Sequence, residues 1–385
     1  MKTINIVIFF GVFFTIYGLI NYYLFIRGWQ AIPQESPVRT YYLIAFLVLA
    51  LAFIAGRFLE RAWLSPVSEA LVWIGSFWLA AMLYFFLAVV VLDLTRLINR
   101  FVPFYPASVT DHYEIAKQCI LAIVVLIVSI VLAVGHINAS MPRIHELSIR
   151  VPKLMEGVQS LTIVSASDVH LGSIIGRERF NAIVQKINAL EPDLVLIPGD
   201  LVDEDLGPVI KENLGETLRT IRARYGVLAI TGNHEYIGGV EEACKYMADH
   251  GVTVLRDSVA RVGPGIYVVG REDRSINQFN GRRRKSLEEL MAAVDRRAPI
   301  ILLDHQPFGL DEGVRQGVDL QISGHTHHGQ LWPLNCITSA IYEVSWGYLQ
   351  KENTHIYVST GVGTWGPPVR IGNRPEILHI KLTLG

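Results

Sequence analysis

Cysteine is nearly missing from this chain of 385 residues: Cys119, Cys244 and Cys336 lie far apart and form no CxxC pair. That gives no basis for a disulfide framework or a thiolate metal site, and it leaves the redox compartment open. Charge is also scarce. Charged residues make up 18% of the chain and hydrophobic residues 51%, with a mean hydropathy of +0.35. An ordinary soluble enzyme is less apolar, so membrane spans must accompany a soluble part. A formal net charge of -1 gives no case for a nucleic-acid partner. Internal repeats and low-complexity tracts are lacking too. The length allows two domains, each with its own core.

What is present comes in two blocks. Residues 1–140 hold four apolar runs, Ile4–Ile26, Tyr41–Leu59, Ala70–Leu92 and Gln118–His136. Each approaches or exceeds the ~20 residues that cross a bilayer as a helix. The first run is longer than the ~7–15 apolar residues of a signal peptide and no small-residue cleavage site follows, so a retained span is expected. Tyr22, Tyr23, Trp29, Tyr41 and Tyr42 stand where interfacial aromatics belong. Four spans put both ends of the region on one side, but positive charge does not say which. Lys2, Arg57, Arg61, Arg143, Arg150 and Lys153 oppose Arg27, Arg39, Arg96, Arg100 and Lys117. No run of ionisable residues marks an ion pathway, so the region reads as an anchor in the lipid bilayer.

Residues 141–159 read as a linker, and residues 160–385 as a soluble α/β domain. Leu161–Ser165, Leu194–Ile197, Gly226–Ile230, Pro299–Leu303 and Val318–Ser323 are strand-like runs. Helical spacing is expected over Arg177–Leu190, Val209–Arg224, Val240–His250 and Ser286–Arg296. Short strands fall near Val252–Leu255 and Ile266–Val269, and the tail segments Thr354–Ser359 and Ile377–Leu384 read as antiparallel strands. Such alternation defines the α/β class.

The turns after the five strand-like runs carry the chemistry. They present Asp168 and His170, then Asp200, then Asn233 and His234, then His305, and finally His325 and His327. Open α/β sheets bind ligands beyond the carboxyl ends of their strands. The i, i+2 pairs would point to one side of an extended segment, so each pair can serve one metal centre. Imidazole, carboxylate and amide oxygen without thiolate favour Mn, Fe, Zn or Co. The donors outnumber what one tetrahedral ion uses, whereas two ions about 3.5–4 Å apart would use them all, with Asp200 the natural shared carboxylate. Gly199 is expected because a side chain there would crowd what Asp200 binds and because glycine accepts backbone angles other residues avoid. Asp203, Glu235 and Asp304 read either as groups that orient ligands or as solvated loop acids. His328, after two candidate ligands, reads as lining the pocket. His112, His136, His145, His250, His355 and His379 lie outside any motif and read as structural.

The order Asp-x-His, Gly-Asp, Gly-Asn-His-Glu, His, Gly-His-x-His resembles the calcineurin-like metallophosphoesterase superfamily. The stretch Ser323–Gln330, with Tyr357–Gly363 and Pro375–Ile377, is similar to the membrane-associated bacterial branch of YkuE/YaeI-type phosphoesterases. The resemblance covers roughly Ser160 to Leu384 and not the four spans. It implies an αββα sandwich of two sheets flanked by helices, holding two divalent ions. It further implies Asp168, His170, Asp200 and His327 on the first ion and Asp200, Asn233, His305 and His325 on the second. His234, which binds no metal in that pattern, would protonate the leaving oxygen or stabilise phosphoryl charge. Glycine is commoner in the branch where His328 stands.

The expected activity is hydrolysis of a phosphodiester or pyrophosphate by a hydroxide bridging the metals, with His234 as acid. An anchored enzyme suggests a phosphate ester in or near the membrane, such as a phospholipid or a nucleotide-linked lipid precursor. The resemblance points to the outer face of the plasma membrane. Arg282–Lys285 reads first as a solvated basic loop and second as a grip on an anionic headgroup. The competing function is a non-catalytic, metal-dependent scaffold or sensor coupled to the helices, and a full ligand set plus His234 argues against it.

Overall fold

The computed structural model describes residues 3–155, 157–263, 265–279 and 281–385, without the side chains of residues 3–7, 9 and 10. The chain divides into two compact units, residues 1–136 and residues 137–385.

The first unit is helical. Its long helices span Thr3–Ala31, Val38–Ala62, Pro66–Phe101 and Tyr113–Ala139, the last running into the second unit. Among the described residues, the latter three are long and apolar enough to cross a membrane. The start of the first apolar run lies outside the described side chains, although its backbone is helical from Thr3. Ser65 caps the third helix, accepting from the Ser68 backbone, with Pro66 at the first helical position. That helix has 36 residues, about 54 Å at 1.5 Å per residue, so it outruns the hydrocarbon core. Small residues let the second and third helices touch. A Cβ on Gly75 would meet the Phe53 backbone nitrogen at 2.1 Å, and one on Gly56 the Val72 nitrogen at 2.7 Å.

The second unit is built on two six-stranded sheets. The first follows the order β1 (Arg143–Val151), β12 (Glu376–Leu384), β2 (Ser160–Ser165), β3 (Leu194–Pro198), β4 (Val227–Ile230) and β5 (Val252–Leu255). The second follows β10 (Gly347–Lys351), β11 (Thr354–Val358), β9 (Leu320–Ser323), β8 (Ile300–Leu303), β7 (Ile266–Gly270) and β6 (Ser258–Val262). A continuous apolar core joins the sheets, with Ile163, Leu196, Ile230 and Ile380 from one and Val268, Leu303, Ile322 and Tyr357 from the other. Leu287, Leu290 and Met291 of the helix Leu287–Met291 pack with Val269, Ile300 and Leu302. β2, β3, β4 and β5 run parallel, as do β7, β8, β9 and β11. Each parallel set therefore presents its carboxyl ends in common.

Several local expectations are corrected. The stretch read as a linker contains β1, which pairs in parallel with β12 across its full length. Leu147, Ile149 and Val151 alternate with polar residues as a strand does, but only the last two are buried and the first six residues are exposed or half-buried. β12 is antiparallel only to β2, and β11 only to β10. The helix expected over Val209–Arg224 is two short ones, Leu206–Lys211 and Leu214–Leu218, because Asn213 between them is left-handed at φ 50°. The helix expected over Ser286–Arg296 shortens to Leu287–Met291.

Candidate metal centre

Every sequence-predicted ligand lies just past the carboxyl end of a strand, on the turn or short helix that follows. Asp168 and His170 follow β2, and Asp200 follows β3. Asn233 and His234 open a short helix after β4, His305 follows β8, and His325 and His327 follow β9. These turns are not extended. Asp168, His170, Asp200, His325 and His327 all have positive φ, between 45° and 71°. The i, i+2 pairs thus converge through left-handed turns rather than through strand alternation. Such conformations cost roughly 1–3 kcal/mol per residue and persist where surrounding contacts fix them. Gly199 has the backbone conformation expected of a glycine, φ 94°, and what a Cβ there would crowd is His305, whose Nδ1 it would strike at 2.5 Å. A Cβ on Gly232 would meet Asp200 Oδ1 at 2.1 Å. The backbone is packed directly around the donors.

Two donor clusters hold the predicted ligands. In one, Asp168, His170 and His327 offer atoms within 4.8 Å of one another; in the other, Asp200, His305 and His325 do. A third group, His170 with Asp203 and His234, shares His170 with the first. His170 Nε2 and His327 Nε2 are 3.0 Å apart, and His327 Nε2 is 3.6 Å from Asp168 Oδ1. Asp200 Oδ2 lies 3.0 Å from His305 Nε2 and 3.9 Å from His170 Nε2, so one carboxylate oxygen faces both clusters. Asn233 Oδ1 is 3.2 Å from His305 Nε2 and 2.8 Å from His325 Nδ1.

This donor set fits a divalent metal. Two nitrogens on one ion at ~2.0–2.1 Å stand about 3 Å apart at a right angle, which is the His170–His327 spacing. His305 Nδ1 faces the Pro198 carbonyl at 2.8 Å, which turns Nε2 towards Asp200 and Asn233. The carboxylates are also anchored. Asp168 accepts from Ser167 Oγ and from the His325 backbone at 2.9 Å, and Asp200 Oδ1 accepts from the His234 backbone at 2.9 Å.

The electrostatics are those of a buried charged cluster. Burial opposes ionisation of Asp200, but His305, His234 and His170 outweigh it and hold the carboxyl well below its usual range. Burial, His170 and the Arg370 guanidinium keep His327 well below the ordinary imidazole value, which favours a neutral ring. His234 behaves oppositely. Burial disfavours its charge, yet Asp200, Asp203 and Glu204 lift it to about 9, and its Nδ1 lies 3.0 Å from Asp203 Oδ1. A protonated imidazole faced by a carboxylate can donate from its other nitrogen.

The surrounding groups resolve the open readings. Glu235 is no solvated loop acid: it is buried and accepts from the backbone of Asp200, Val202 and Gly232, tying the β3 and β4 turns together. Asp304 pairs with Arg271 at 3.2 Å and with Arg284 at 2.9 Å. That removes Arg284 from the basic run as a free cation; Arg282, Arg283 and Lys285 are exposed. His328 is half-buried, 3.0 Å from Ser345 Oγ and ring to ring with Trp346. Of the histidines read as structural, His250 caps onto Tyr246, His355 meets Tyr348, and His145 packs near Tyr357; none joins the clusters.

Arg370 escaped sequence reasoning. It is fully buried, and its Nη2 donates to the Thr360 and Gly363 carbonyls at 2.7 Å each and stands 3.1 Å from His327 Nδ1. Asn373 was missed as well; its Nδ2 donates to the carbonyls of His327 and His328. Both sit in a loop with no periodic pattern. The one available signal was a charged residue set between valine and isoleucine in Val369-Arg370-Ile371.

Comparison with known proteins agrees with this architecture. Residues 161–329 match the model of the calcineurin-like phosphoesterases. A transmembrane protein with a metallophosphoesterase domain from Danio rerio is 33% identical over 376 residues, covering 92% of this chain and 83% of that protein. The chain therefore belongs to the calcineurin-like metallophosphoesterase family, whose members use divalent metals. An uncharacterized metallophosphoesterase of Helicobacter pylori is 33% identical over 63% of this chain and 64% of its own length. The metallophosphoesterase YkuE of Bacillus subtilis is 29% identical, over 62% of this chain and 84% of its own length.

Proposed function

We propose that this chain is a membrane-anchored phosphoesterase that uses two divalent ions to hydrolyse a phosphodiester or pyrophosphate bond. The observation that carries the reading is Asp200 Oδ2, within 3.9 Å of an imidazole nitrogen in each of two clusters. Asp168, His170, Asp200 and His327 would hold one ion, and Asp200, Asn233, His305 and His325 the other. When bound, such ions supply Lewis acidity towards phosphoryl oxygens and an activated water.

The chain's own groups supply the rest. Glu235 and the Ser167 hydroxyl fix the carboxylate-bearing turns, so the donors are oriented before substrate arrives. Asp203 faces His234 Nδ1, favouring the imidazolium, and Nε2 then carries the proton for the leaving oxygen. The Trp365 ring stands 6.1 Å from that of His234, edge to face, and covers one side of it.

Anchoring by apolar helices favours a substrate at a bilayer, lipid-linked or carried on a phospholipid. The reading extends to the plasma membrane, with the site on its outer face; a reporter fused at the C-terminus tests that side. The activity itself is tested on the purified full chain, stripped with chelator and reloaded with Mn²⁺. It is expected to release p-nitrophenolate from bis(p-nitrophenyl) phosphate. Silence with Mn²⁺, Fe²⁺, Zn²⁺ and Co²⁺ alike would overturn the reading in favour of a metal-dependent scaffold.

A further inference from the structure

The helical unit contains a cavity of ≈ 980 Å³, at the upper end of the ~300–1,000 Å³ typical of ligand sites. Its polar lining gathers at one end of the bundle. Arg27 closes the first helix, Arg39 opens the second, Asp93 and Arg96 lie near the end of the third, and Lys117 lies in the first turns of the fourth. The remainder is apolar, with Leu24, Phe46, Leu49, Trp78, Phe85 and Val124 among its walls.

We propose that this cavity binds one anionic phospholipid, with the phosphate headgroup at the charged end and acyl chain in the apolar interior. Depth is the first argument. From Arg39 to Leu49 and from Tyr113 to Val125 are ten and twelve residues of lined helix, about 15 and 18 Å at 1.5 Å per residue. That is one leaflet of a hydrocarbon core ~30 Å thick.

Charge is the second argument. Four cations line the cavity against two carboxylates, Asp93 and Glu114. Asp93 is already shared between Arg27 at 2.6 Å and Arg96 at 3.1 Å, and it accepts from Tyr23 as well. Glu114 pairs with Lys117 at 2.8 Å while remaining mostly exposed. Arg39 has no carboxylate partner among the described residues; it donates to the Trp29 and Ile32 carbonyls and stacks on Trp29. Arg27 Nε is shielded from solvent and has no hydrogen-bond partner among those residues. A surplus of two positive charges and a spare guanidinium donor beside a leaflet-deep apolar slot match a phosphate with an acyl tail. A zwitterionic headgroup would bring a cation to the same place. The site is formed by the helical unit alone and does not depend on the hydrolytic reading.

The test is native mass spectrometry of the full chain released from nanodiscs of equal phosphatidylglycerol and phosphatidylcholine. One phosphatidylglycerol should remain bound, enriched at least about tenfold over phosphatidylcholine, and Arg39→Gln with Lys117→Gln should abolish that enrichment. Because a charge variant can misfold, Leu49→Trp is the second arm: it fills the apolar half, leaves the cations, and should expel the lipid from a protein of unchanged circular dichroism. Excess glycerol 3-phosphate, a headgroup without chains, should not displace the lipid. Equal retention of both lipids, enrichment that survives both variants, or displacement by glycerol 3-phosphate would each overturn the proposal.

Discussion

The two units place their polar groups in opposite ways. In the helical unit, large apolar side chains such as Leu47, Leu51, Leu126 and Ile130 point outward, and charged residues sit at the helix ends. Arg27, Arg39, Asp93 and Lys117 lie at one end of the bundle and Arg57, Glu60 and Arg61 at the other. In the α/β unit the apolar core lies between the sheets, and the densest charge sits buried at their common edge, where Asp168 and His305 are fully enclosed. A bundle in lipid gains little from hiding leucine and must rely on shape, such as Gly75 against Phe53. The α/β unit can bury carboxylates because imidazoles and backbone N–H groups compensate them. One unit therefore depends on close fit, the other on complete polar pairing.

Substitutions can break or sharpen that contrast. The largest effect is expected from Asp200→Asn, which removes the carboxylate facing both clusters. Metal content by elemental analysis should fall by both equivalents and hydrolysis should drop to background, whereas His305→Ala should remove chiefly one. Retention of two metals with full turnover in the Asp200→Asn protein would contradict the shared role of Asp200. Next, His234→Ala should lower turnover about 10²–10⁴-fold on esters with poor leaving groups, while metal content stays unchanged. A p-nitrophenyl ester should lose far less, and equal losses on both would remove His234 as proton donor.

Arg370→Met should follow, because the loop beside His327 loses the buried guanidinium that donates to its carbonyls. The abandoned Thr360 and Gly363 carbonyls should cost about 1–3 kcal/mol of stability in denaturant titration. The smallest effect on chemistry is expected from Gly75→Ala. Overpacking against Phe53 should destabilise the helical unit by about 1–3 kcal/mol without changing metal content. Loss of metal in that variant would show that the two units do not divide fit and polar pairing as described.

Much of the site was legible because its motifs are local. Asp168 with His170, Asn233 with His234, and His325 with His327 sit within three residues of each other and just past apolar runs, so type and spacing together expose them. Arg370 was not legible. Its partners, the Thr360 and Gly363 carbonyls and the His327 ring, lie up to 43 residues away, and nothing in a lone arginine between two apolar residues announces them. β1 was obscure for a related reason. It is held by the pairing with β12, more than 200 positions later, and only its last five residues alternate.

By itself the sequence determined the apolar spans, the α/β alternation and the choice of candidate donors, since hydrophobic period and short motifs are properties of neighbours along the chain. Tertiary structure alone decided that left-handed turns aim the donors, that Arg370 stands beside the His327 ring, and that Arg284 is taken up by Asp304. It likewise decided that four cations from four helices meet at one end of a cavity. Each of these depends on distance in space between residues far apart in order, which no periodicity encodes.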